Sequence, residues 1–333
     1  MQTDPQVSVV LSTYNRAPLL ARALESLRQQ APGGPPYEVI VVDNNSTDET
    51  ASVIQAVSDQ SPLFRYVFEP RQGVSYANNT GVRYANAPLL AFTDDDLIVA
   101  DDWVRAVQEA FDANPDIDFL GGRVLPQWDD APPRWLTRHH WTPLALDDTA
   151  TPFYSTADTR RGVLGKCVRR AAFNAVGGFV PELGRTGDSI GSVEDRDLIT
   201  RLWRSGRKGL HAPDVVVYTA VQPERLTKEY HRRWHTGHGQ FFAIMRDESF
   251  EESKHRVFGV PAHVYRGLLK SGIEWAMDAV QGREAEAFEH ENELRFCIGF
   301  ARERVKQVAR ESQLPIMTAL GLRRALTGST AKA

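Results

Sequence analysis

The first hundred residues alternate short apolar runs with amphipathic segments. The apolar runs, several of them rich in β-branched residues, predict four strands, at residues 7–11, 38–42, 64–68 and 89–93. Helical patterns lie between them: one begins near Pro18 and carries three leucines on one face, and another covers residues 75–85. Ser46 and Glu49 have the spacing of a capping box for the helix after the second strand. This alternation predicts an α/β fold with a doubly wound, mostly parallel sheet flanked by helices.

The remainder of the chain is less regular until about residue 227. We predict helices over residues 101–113 and 194–204, a strand over 117–121 and regular structure over 162–168. The segment 126–159 is rich in Pro, Trp and Asp with weak periodicity, and we interpret it as a wall or lid of a binding site. From Thr227 onward the pattern is helical, with breaks at 259–261 and at Gly282.

This change in pattern predicts two domains. We expect a catalytic α/β domain over residues 1–226 and a helical extension over residues 227–333 that packs on it.

Composition excludes several classes of protein. The chain has 333 residues, 42% of them hydrophobic and 25% charged, as in ordinary globular proteins. A net charge of −4 offers no pervasive basic field, so we expect no nucleic-acid partner. The two cysteines, Cys167 and Cys297, predict buried free thiols. The N-terminus lacks the features of a signal peptide, and no apolar run is long enough to span a membrane, so we predict a cytoplasmic protein.

Polar residues cluster where the predicted strands end. The four clusters are Thr13-Tyr14-Asn15-Arg16, Asp43-Asn44-Asn45, Arg71-Gln72-Gly73 and Asp94-Asp95-Asp96. In an open parallel sheet, ligands bind off these carboxyl ends. Three adjacent carboxylates repel one another unless a cation joins them, and Mg²⁺ or Mn²⁺ prefers oxygen ligands and often holds a substrate diphosphate. The alternative, a solvated acidic loop, is less well supported after a fourth parallel strand.

Two common nucleotide-binding motifs are absent from the sequence. The sequence has no GxGxxG after the first strand and no GxxxxGK[ST], which argues against a dehydrogenase and a P-loop NTPase. Asp43 instead stands where a carboxylate could accept an N–H of a nucleobase, while a metal ion takes the diphosphate.

Five ordered blocks together resemble the family 2 glycosyltransferases of GT-A fold. They lie at residues 7–16, 39–48, 92–96, 176–179 and 192–197, within a match of about residues 6–240. The resemblance implies an inverting enzyme that moves a sugar from a nucleotide-diphosphate-sugar to a saccharide or a lipid-linked saccharide. A UDP-sugar is the expected donor, and Mn²⁺ or Mg²⁺ the expected metal.

The resemblance also implies roles for individual residues. Asp94 and Asp96 match the DXD motif, and Asp96 is the expected direct metal ligand. Asp195 matches the catalytic base, and Glu194 would orient it or contact the acceptor. Asn78 is an alternative to Asn79 near the nucleoside. The expected donor site comprises Thr13, Asn15, Arg16, Asp43, Arg71, Gly73, Asn79, Asp94 and Asp95.

Apart from the resemblance, sugar transfer itself requires a proton acceptor such as a carboxylate on the acceptor side, because the acceptor hydroxyl must lose its proton. Asp195 meets this need, although acids at a helix start also serve as caps. Many relatives place a metal-binding His after a later strand, where this chain has Thr219. We expect His231, His235 or His238 to substitute as the third metal ligand.

The C-terminal region interleaves basic and apolar residues. The basic ones are Arg295, Arg302, Arg304, Lys306, Arg310, Arg323 and Arg324. We favour helices that pack on the catalytic domain; the alternative is a basic amphipathic surface in peripheral contact with the anionic inner face of a membrane.

Three alternatives to a glycosyltransferase were weighed. An aspartate-nucleophile phosphohydrolase would carry its DxDx[TV] motif after the first strand, whereas here the fourth strand precedes the acids and Ile98 occupies the Thr/Val position. A nucleotidyltransferase would need a glycine-rich basic loop after the first strand, which this sequence lacks. A catalytically inactive sugar-nucleotide or glycan-binding module would keep Asp43 but lose the base, whereas Asp195 is present.

Overall fold

The computed structural model describes residues 4–312, except residues 165, 187–189, 191, 252 and 254. The chain forms two compact units. The first covers residues up to 132, 144–189 and 194–223, and the second covers residues 133–143, 190–193 and those from 224 onward. The assignment of a catalytic domain to residues 1–226 stays a prediction.

The first unit contains nine strands and six α-helices within its described residues. The strands are β1 (Val7–Thr13), β2 (Tyr37–Asp43), β3 (Phe64–Phe68), β4 (Leu89–Asp94), β5 (Leu97–Val99), β6 (Phe119–Gln127), β7 (Phe153–Ser155), β8 (Cys167–Arg169) and β9 (Gly209–Ala220). The helices are α1 (Ala17–Arg28), α2 (Thr50–Gln60), α3 (Val74–Tyr84), α4 (Trp103–Ala113), α5 (Arg170–Val176) and α6 (Glu194–Arg204). Short 3-10 turns lie at Arg138–His140, Thr142–Leu144, Pro181–Leu183 and Pro223–Leu226.

These strands form one mixed sheet in the order β3-β2-β1-β4-β8-β6-β9-β5, with β7 also paired to β9. The first four strands are mutually parallel. Strand β8 runs antiparallel to both β4 and β6, β6 is parallel to β9, and β5 and β7 are antiparallel to β9. The predicted α/β fold, with a mostly parallel sheet flanked by helices, is confirmed.

The parallel half is held by apolar burial on both faces. Every residue of β1 is buried, as are the last five residues of β2. The leucines of α1 at 20, 24 and 27 are fully or almost fully buried, and each such burial is worth about 1.5–3 kcal/mol. Helix α3 approaches β1 closely, because a Cβ at Gly81 would collide with the side chain of Val10.

Local predictions failed at three places. The capping box at Ser46 and Glu49 is wrong: α2 begins at Thr50, whose amide donates to Asp48 Oδ1 at 3.0 Å. The hydroxyl of Ser46 instead accepts from the amide of Asn15. The strand predicted over 117–121 runs from residue 119 to residue 127, and the strand in the 162–168 region begins only at residue 167.

The second unit is mainly helical, as predicted. It contains α7 (Lys228–Met245), α8 (Glu248–Glu251), a two-stranded hairpin of β10 (Arg256–Val257) and β11 (Val260–Pro261), α9 (Ala262–Val280) and α10 (Glu284–Ser312). The predicted breaks are the hairpin turn, where Gly259 has φ +76°, and the α9–α10 turn, where Gly282 has φ +71°. Helices α7 and α10 approach closely at two glycines, because a Cβ at Gly239 or Gly299 would collide with a backbone carbonyl of the other helix. None of the described helices is both long enough and apolar enough to cross a membrane.

Both cysteines are free thiols, as predicted, but only Cys167 is buried, whereas Cys297 is half-buried. Burial raises the pKa of Cys167 to about 12 and that of Cys297 to about 11. At neutral pH both therefore remain protonated and act as small apolar groups in the packing.

Candidate active site

The polar ends of β2 and β4 lie on either side of β1. In the sheet register, Thr13 pairs with Asp43 and Ser12 pairs with Asp94. The chain leaves β1 toward β2 and β3 and then returns to place β4 on the other side of β1, so the strand order reverses between β1 and β4. Such a reversal is where open α/β sheets bind ligands, beyond the carboxyl ends of the strands.

The three acids after β4 do not all face the same way. Asp95 is buried; its carboxylate accepts a hydrogen bond from Thr13 Oγ1 at 2.8 Å and lies 3.0 Å from Arg16 Nη1. The same guanidinium nitrogen lies 3.4 Å from Asp96 Oδ2. Burial and the charge of Asp96 raise the pKa of Asp95 to about 6, against the opposing effect of Arg16 and Thr13. Asp94, by contrast, is exposed to solvent.

A second charged group lies beside these acids, although it is distant in sequence. Lys166 Nζ is 2.6 Å from Asp195 Oδ1; the lysine side chain is only 16% exposed and the aspartate 44%. Burial lowers the pKa of Lys166, but the negative charges of Asp195, Asp94 and Glu194 outweigh it and raise the pKa overall. The structure therefore brings the predicted metal ligand Asp94 and the predicted base Asp195 into one electrostatic network around Lys166.

Asp94 shows the same coupling from its own side. Desolvation is the first cause of its raised pKa, although the residue as a whole is exposed to solvent. Repulsion from Asp96 and Asp195 adds to it, while Lys166 and Arg185 oppose it. A cation beside Asp94 and Asp96 would relieve this repulsion, and the oxygen donors suit Mg²⁺ or Mn²⁺.

Helix α6 begins at the Glu194–Asp195 pair. Its first turn carries three acids, Glu194, Asp195 and Asp197, which the positive end of the helix dipole favours. Glu194 is buried, and Asp197 binds Arg201. Arg201, in the last turn of α6, also donates to the carbonyl of Gly178 at 2.6 Å, which connects the helix to the segment after α5.

Glu69 holds the predicted donor residue Arg71. Its carboxylate accepts from Arg71 Nε at 2.9 Å and Nη2 at 2.8 Å, and also from the Arg71 backbone amide at 2.9 Å. Hydrogen bonding to Arg71 is the main reason that the pKa of Glu69 falls to about 2, with Thr80 contributing. The Arg71 side chain is 55% exposed and its guanidinium lies over the ring of Tyr76, 4.6 Å from the centroid. A cation fixed in this way can meet an anionic ligand with little loss of side-chain entropy.

Asn44 fixes the backbone of the same loop. Its amide nitrogen donates to the carbonyls of Glu69 and Arg71, at 3.1 and 2.6 Å, and its oxygen accepts from the Gly73 amide at 2.8 Å. Gly73 precedes α3 with φ +138°, a conformation that strains any residue with a Cβ.

The other predicted donor residues make contacts within the protein. Asp43 is buried; its Oδ1 accepts from the Ser46 amide at 2.9 Å and its Oδ2 from the Tyr66 hydroxyl at 3.2 Å. Asn15 Oδ1 accepts from the Thr47 amide at 2.7 Å. A carboxylate offers about four acceptor positions, so Asp43 retains capacity for a base N–H.

Asn79 binds the segment that contains the fourth block. Its amide nitrogen donates to the carbonyl of Phe179 at 2.8 Å, and its oxygen accepts from the Phe179 amide at 2.9 Å. These two bonds connect α3 to the loop after α5. The expected contact of Asn79 with the nucleoside stays a prediction, as does the alternative at Asn78, which is buried.

Thr219, where the family resemblance led us to expect a metal-binding His, is buried on β9. It pairs with Leu97, the residue directly after the three acids, so the position is close to them. His231 belongs to the second unit, where its ring lies 5.1 Å from that of Trp135. Burial lowers the pKa of His231 to about 4 and that of His235 to about 3, so both are neutral at physiological pH. The substitution of a histidine for the third metal ligand stays a prediction.

The sequence was compared with models of known protein families. The family described as "Glycosyl transferase family 2" matches residues 8–177. The chain belongs to this family. The match includes the acids at the end of β4, and it sets aside the phosphohydrolase and nucleotidyltransferase alternatives.

Individual relatives resemble this family 2 glycosyltransferase over parts of their length. Validoxylamine A glucosyltransferase from Streptomyces hygroscopicus subsp. jinggangensis is 42% identical over 108 residues, which is 32% of this chain and 25% of that protein. Succinoglycan biosynthesis protein ExoM from Rhizobium meliloti is 26% identical over 71% of this chain and 75% of its own. Among solved structures, the mannosyltransferase PcManGT from Pyrobaculum calidifontis, in complex with GDP-Man and Mn²⁺, has a TM-score of 0.54 at 20% identity, over 98% of this chain and 82% of that one. The fold is of the GT-A type.

Three residues of the site, Lys166, Glu69 and Asn44, were not predicted from the sequence. Lys166 is a lone charge inside the apolar run from Val163 to Val168, a signal that was present but not used. Glu69 directly follows β3, and Asn44 stands inside a block that was recognised without a role for it. Their functions became visible only when distant segments were brought together.

Proposed function

We propose that this family 2 glycosyltransferase moves a sugar, with inversion, from a nucleotide-diphosphate-sugar to a hydroxyl acceptor. The observation that carries the proposal is the shared charge network of Asp94, Lys166 and Asp195 at the point where the strand order reverses. An inverting transfer needs negative charge for a metal–diphosphate on one side and a proton acceptor on the other, and this network supplies both.

Asp96 and Asp94 would hold Mn²⁺ or Mg²⁺. When bound, the ion would act as a Lewis acid on the departing diphosphate. Asp95 would keep the turn in place through its contacts with Thr13 and Arg16. Arg71, fixed by Glu69, and Asp43 would bind the nucleoside part of the donor.

Asp195 would take the proton of the acceptor hydroxyl. The acceptor oxygen then bonds to the anomeric carbon as the bond from that carbon to the diphosphate oxygen breaks on the opposite face. Lys166 would hold Asp195 in place through the 2.6 Å hydrogen bond from its Nζ to Asp195 Oδ1. Such general-base assistance is typically worth about 10²–10⁴-fold in rate.

The donor and the acceptor that we expect are based on the family resemblance and on similar proteins. One structural neighbour carries GDP-Man and Mn²⁺, whereas we expect a UDP-sugar here; the base and the sugar therefore define the first experiment. A relative named for succinoglycan biosynthesis supports a role in glycan synthesis. We expect a saccharide or a lipid-linked saccharide as the acceptor.

Peripheral membrane contact is a further part of the proposal. Of the basic and apolar residues expected to form it, Phe300 is fully buried and Arg304 binds Glu251, which supports packing for that stretch of α10. Residues 320–324 lie outside the described residues. Support for membrane contact comes instead from α9, where Leu269, Ile273, Met277 and Val280 expose apolar side chains.

The test is a screen of UDP-, GDP- and dTDP-sugars with and without Mn²⁺. We expect one nucleotide to raise the melting temperature only with metal, since ligands that bind the native state stabilise it by mass action. The same donor should then be hydrolysed, or transferred to a saccharide. Binding without turnover would favour the inactive binding module, and no response to any donor would contradict the proposal.

A further inference from the structure

A second cluster of ligand-type side chains lies in the second unit, between α9 and α10. It consists of Glu274 on α9 and of His290 and Glu293 on α10. His290 Nδ1 is 3.5 Å from Glu274 Oε2 and 3.6 Å from Glu293 Oε2. His290 and Glu293 are three residues apart, so both point from the same face of the helix.

These separations are too long for hydrogen bonds, which place nitrogen and oxygen about 2.7–3.2 Å apart. They fit a shared metal ion, because two ligand atoms about 2.1 Å from a tetrahedral ion lie about 3.4 Å apart. His290 Nδ1 and Glu274 Oε2 are both buried atoms without a hydrogen-bond partner among the described residues. These two buried atoms, which lie 3.5 Å apart, could therefore both bind one ion placed between them.

Neighbouring residues contact two of the three side chains, His290 and Glu293, from outside the cluster. The buried Asp278 places Oδ2 3.4 Å from His290 Nε2, the ring nitrogen that points away from the cluster. Its other oxygen forms an ion pair with Arg283. Ser271 donates to Glu293 Oε2 at 2.8 Å. A carboxylate behind a histidine ring, and a hydrogen bond to a ligating carboxylate, are the usual outer contacts of metal sites.

We propose that Glu274, His290 and Glu293 bind a divalent transition-metal ion of the Zn²⁺ class. The negative charge of Asp278, 3.4 Å from Nε2, favours the His290 tautomer with its proton on that nitrogen, which leaves the Nδ1 lone pair facing two carboxylate oxygens. One imidazole with two carboxylates suits Zn²⁺, in contrast to the oxygen-only acids after β4. Glu293 is 54% exposed, so water can complete the coordination on that side. The ion would join α9 to α10 and stabilise the C-terminal helices.

The competing explanation is that His290 forms ion pairs and the cluster binds no metal. In that case the imidazolium of His290 would pair with the carboxylates of Glu274, Asp278 and Glu293. The two explanations are separated by calorimetric titration of Zn²⁺ into metal-free, full-length protein. The parent for all titrations carries Asp94→Asn and Asp96→Asn, so that Zn²⁺ binding to the acids after β4 does not contribute. The readout is therefore independent of the proposed transfer activity.

We expect the parent to bind one Zn²⁺ per chain, and His290→Ala and Glu274→Gln each to lose this binding. Asp278→Asn should weaken the Kd by about 10–100-fold, as expected for an outer contact. The matched control is His139→Ala, because His139 also faces a glutamate, Glu289 at 3.7 Å, but on an exposed surface of the same unit. Its Zn²⁺ binding should equal that of the parent.

Two results would overturn the proposal. One is a parent that binds no Zn²⁺, and the other is an unchanged stoichiometry and Kd in both His290→Ala and Glu274→Gln. Thermal melting without metal checks that each variant is folded. If His290→Ala is not folded, Glu274→Gln alone decides the question.

Discussion

Replacing Glu69 with Gln tests how the loop after β3 is held. Gln has the same shape and can still accept one hydrogen bond, but it lacks the charge that binds the Arg71 guanidinium through two oxygens. It also weakens the contact with the Arg71 amide. We expect a less stable protein with a mobile Arg71.

The magnitude follows from the pKa of Glu69. Its folded value is about 2, against about 4.3 for a glutamate in an unfolded chain. At about 1.36 kcal/mol per pKa unit, the difference corresponds to about 3 kcal/mol as an upper limit. Because the Arg71 side chain is 55% exposed, water screens the pair, and we expect about 1–2 kcal/mol.

The sign of the pH dependence follows from the same difference. The folded pKa lies below the unfolded one, so the stabilisation is fully present above about pH 4.3 and is lost as the pH falls toward 2. Urea unfolding at pH 7 should therefore show the full difference in the free energy of unfolding between wild type and Glu69→Gln. Below pH 4 this difference should become smaller.

The matched control is Glu25→Gln, which breaks an exposed pair with Arg28 one turn away on α1. It should change the free energy of unfolding by no more than about 0.5 kcal/mol. Donor binding should weaken in Glu69→Gln and not in the control. An equal loss of stability at pH 7 and pH 3, or an unchanged donor Kd, would refute the reasoning.

The remaining predictions concern the acids and the lysine. Asp96→Ala should abolish Mn²⁺-stimulated transfer while leaving the circular dichroism unchanged; equal transfer by this variant in excess chelator would contradict it. Asp43→Ala should weaken donor binding by about 1–3 kcal/mol, measured by calorimetry, with Tyr66→Phe as the control for the lost internal hydrogen bond. Lys166→Met should lower the transfer rate at least tenfold with little change in donor Kd, and a wild-type rate would rule out a positioning role.

Much of the fold follows from local pattern. The four parallel strands were predictable because residues buried on both faces leave a continuous apolar run, as in β1. The C-terminal breaks were predictable because glycines mark them, as at Gly259. Asp94, Asp96 and the Glu194–Asp195 pair could be named as candidates because they stand in short ordered blocks; their roles stay predictions.

The errors have physical reasons. β5 and β7 are three residues long, too short to show a period, and they exist because β9 offers them a pairing edge. The Ser46 capping box failed because Ser46 has a tertiary partner in the loop after β1, which no local pattern reveals. Lys166 was missed for the same reason: its importance arises from acids 72 and 29 residues away in sequence, at Asp94 and Asp195.

The most direct test of the central claim is the transfer rate of Asp195→Asn, measured beside its donor and Mn²⁺ affinities. Asn keeps the volume of the side chain and can still contact Lys166, but it cannot take a proton. We predict a rate lower by about 10²-fold or more, with both affinities near wild type. A rate near that of wild type would contradict the account, and loss of rate and affinities together would assign Asp195 to the structure of the helix start instead.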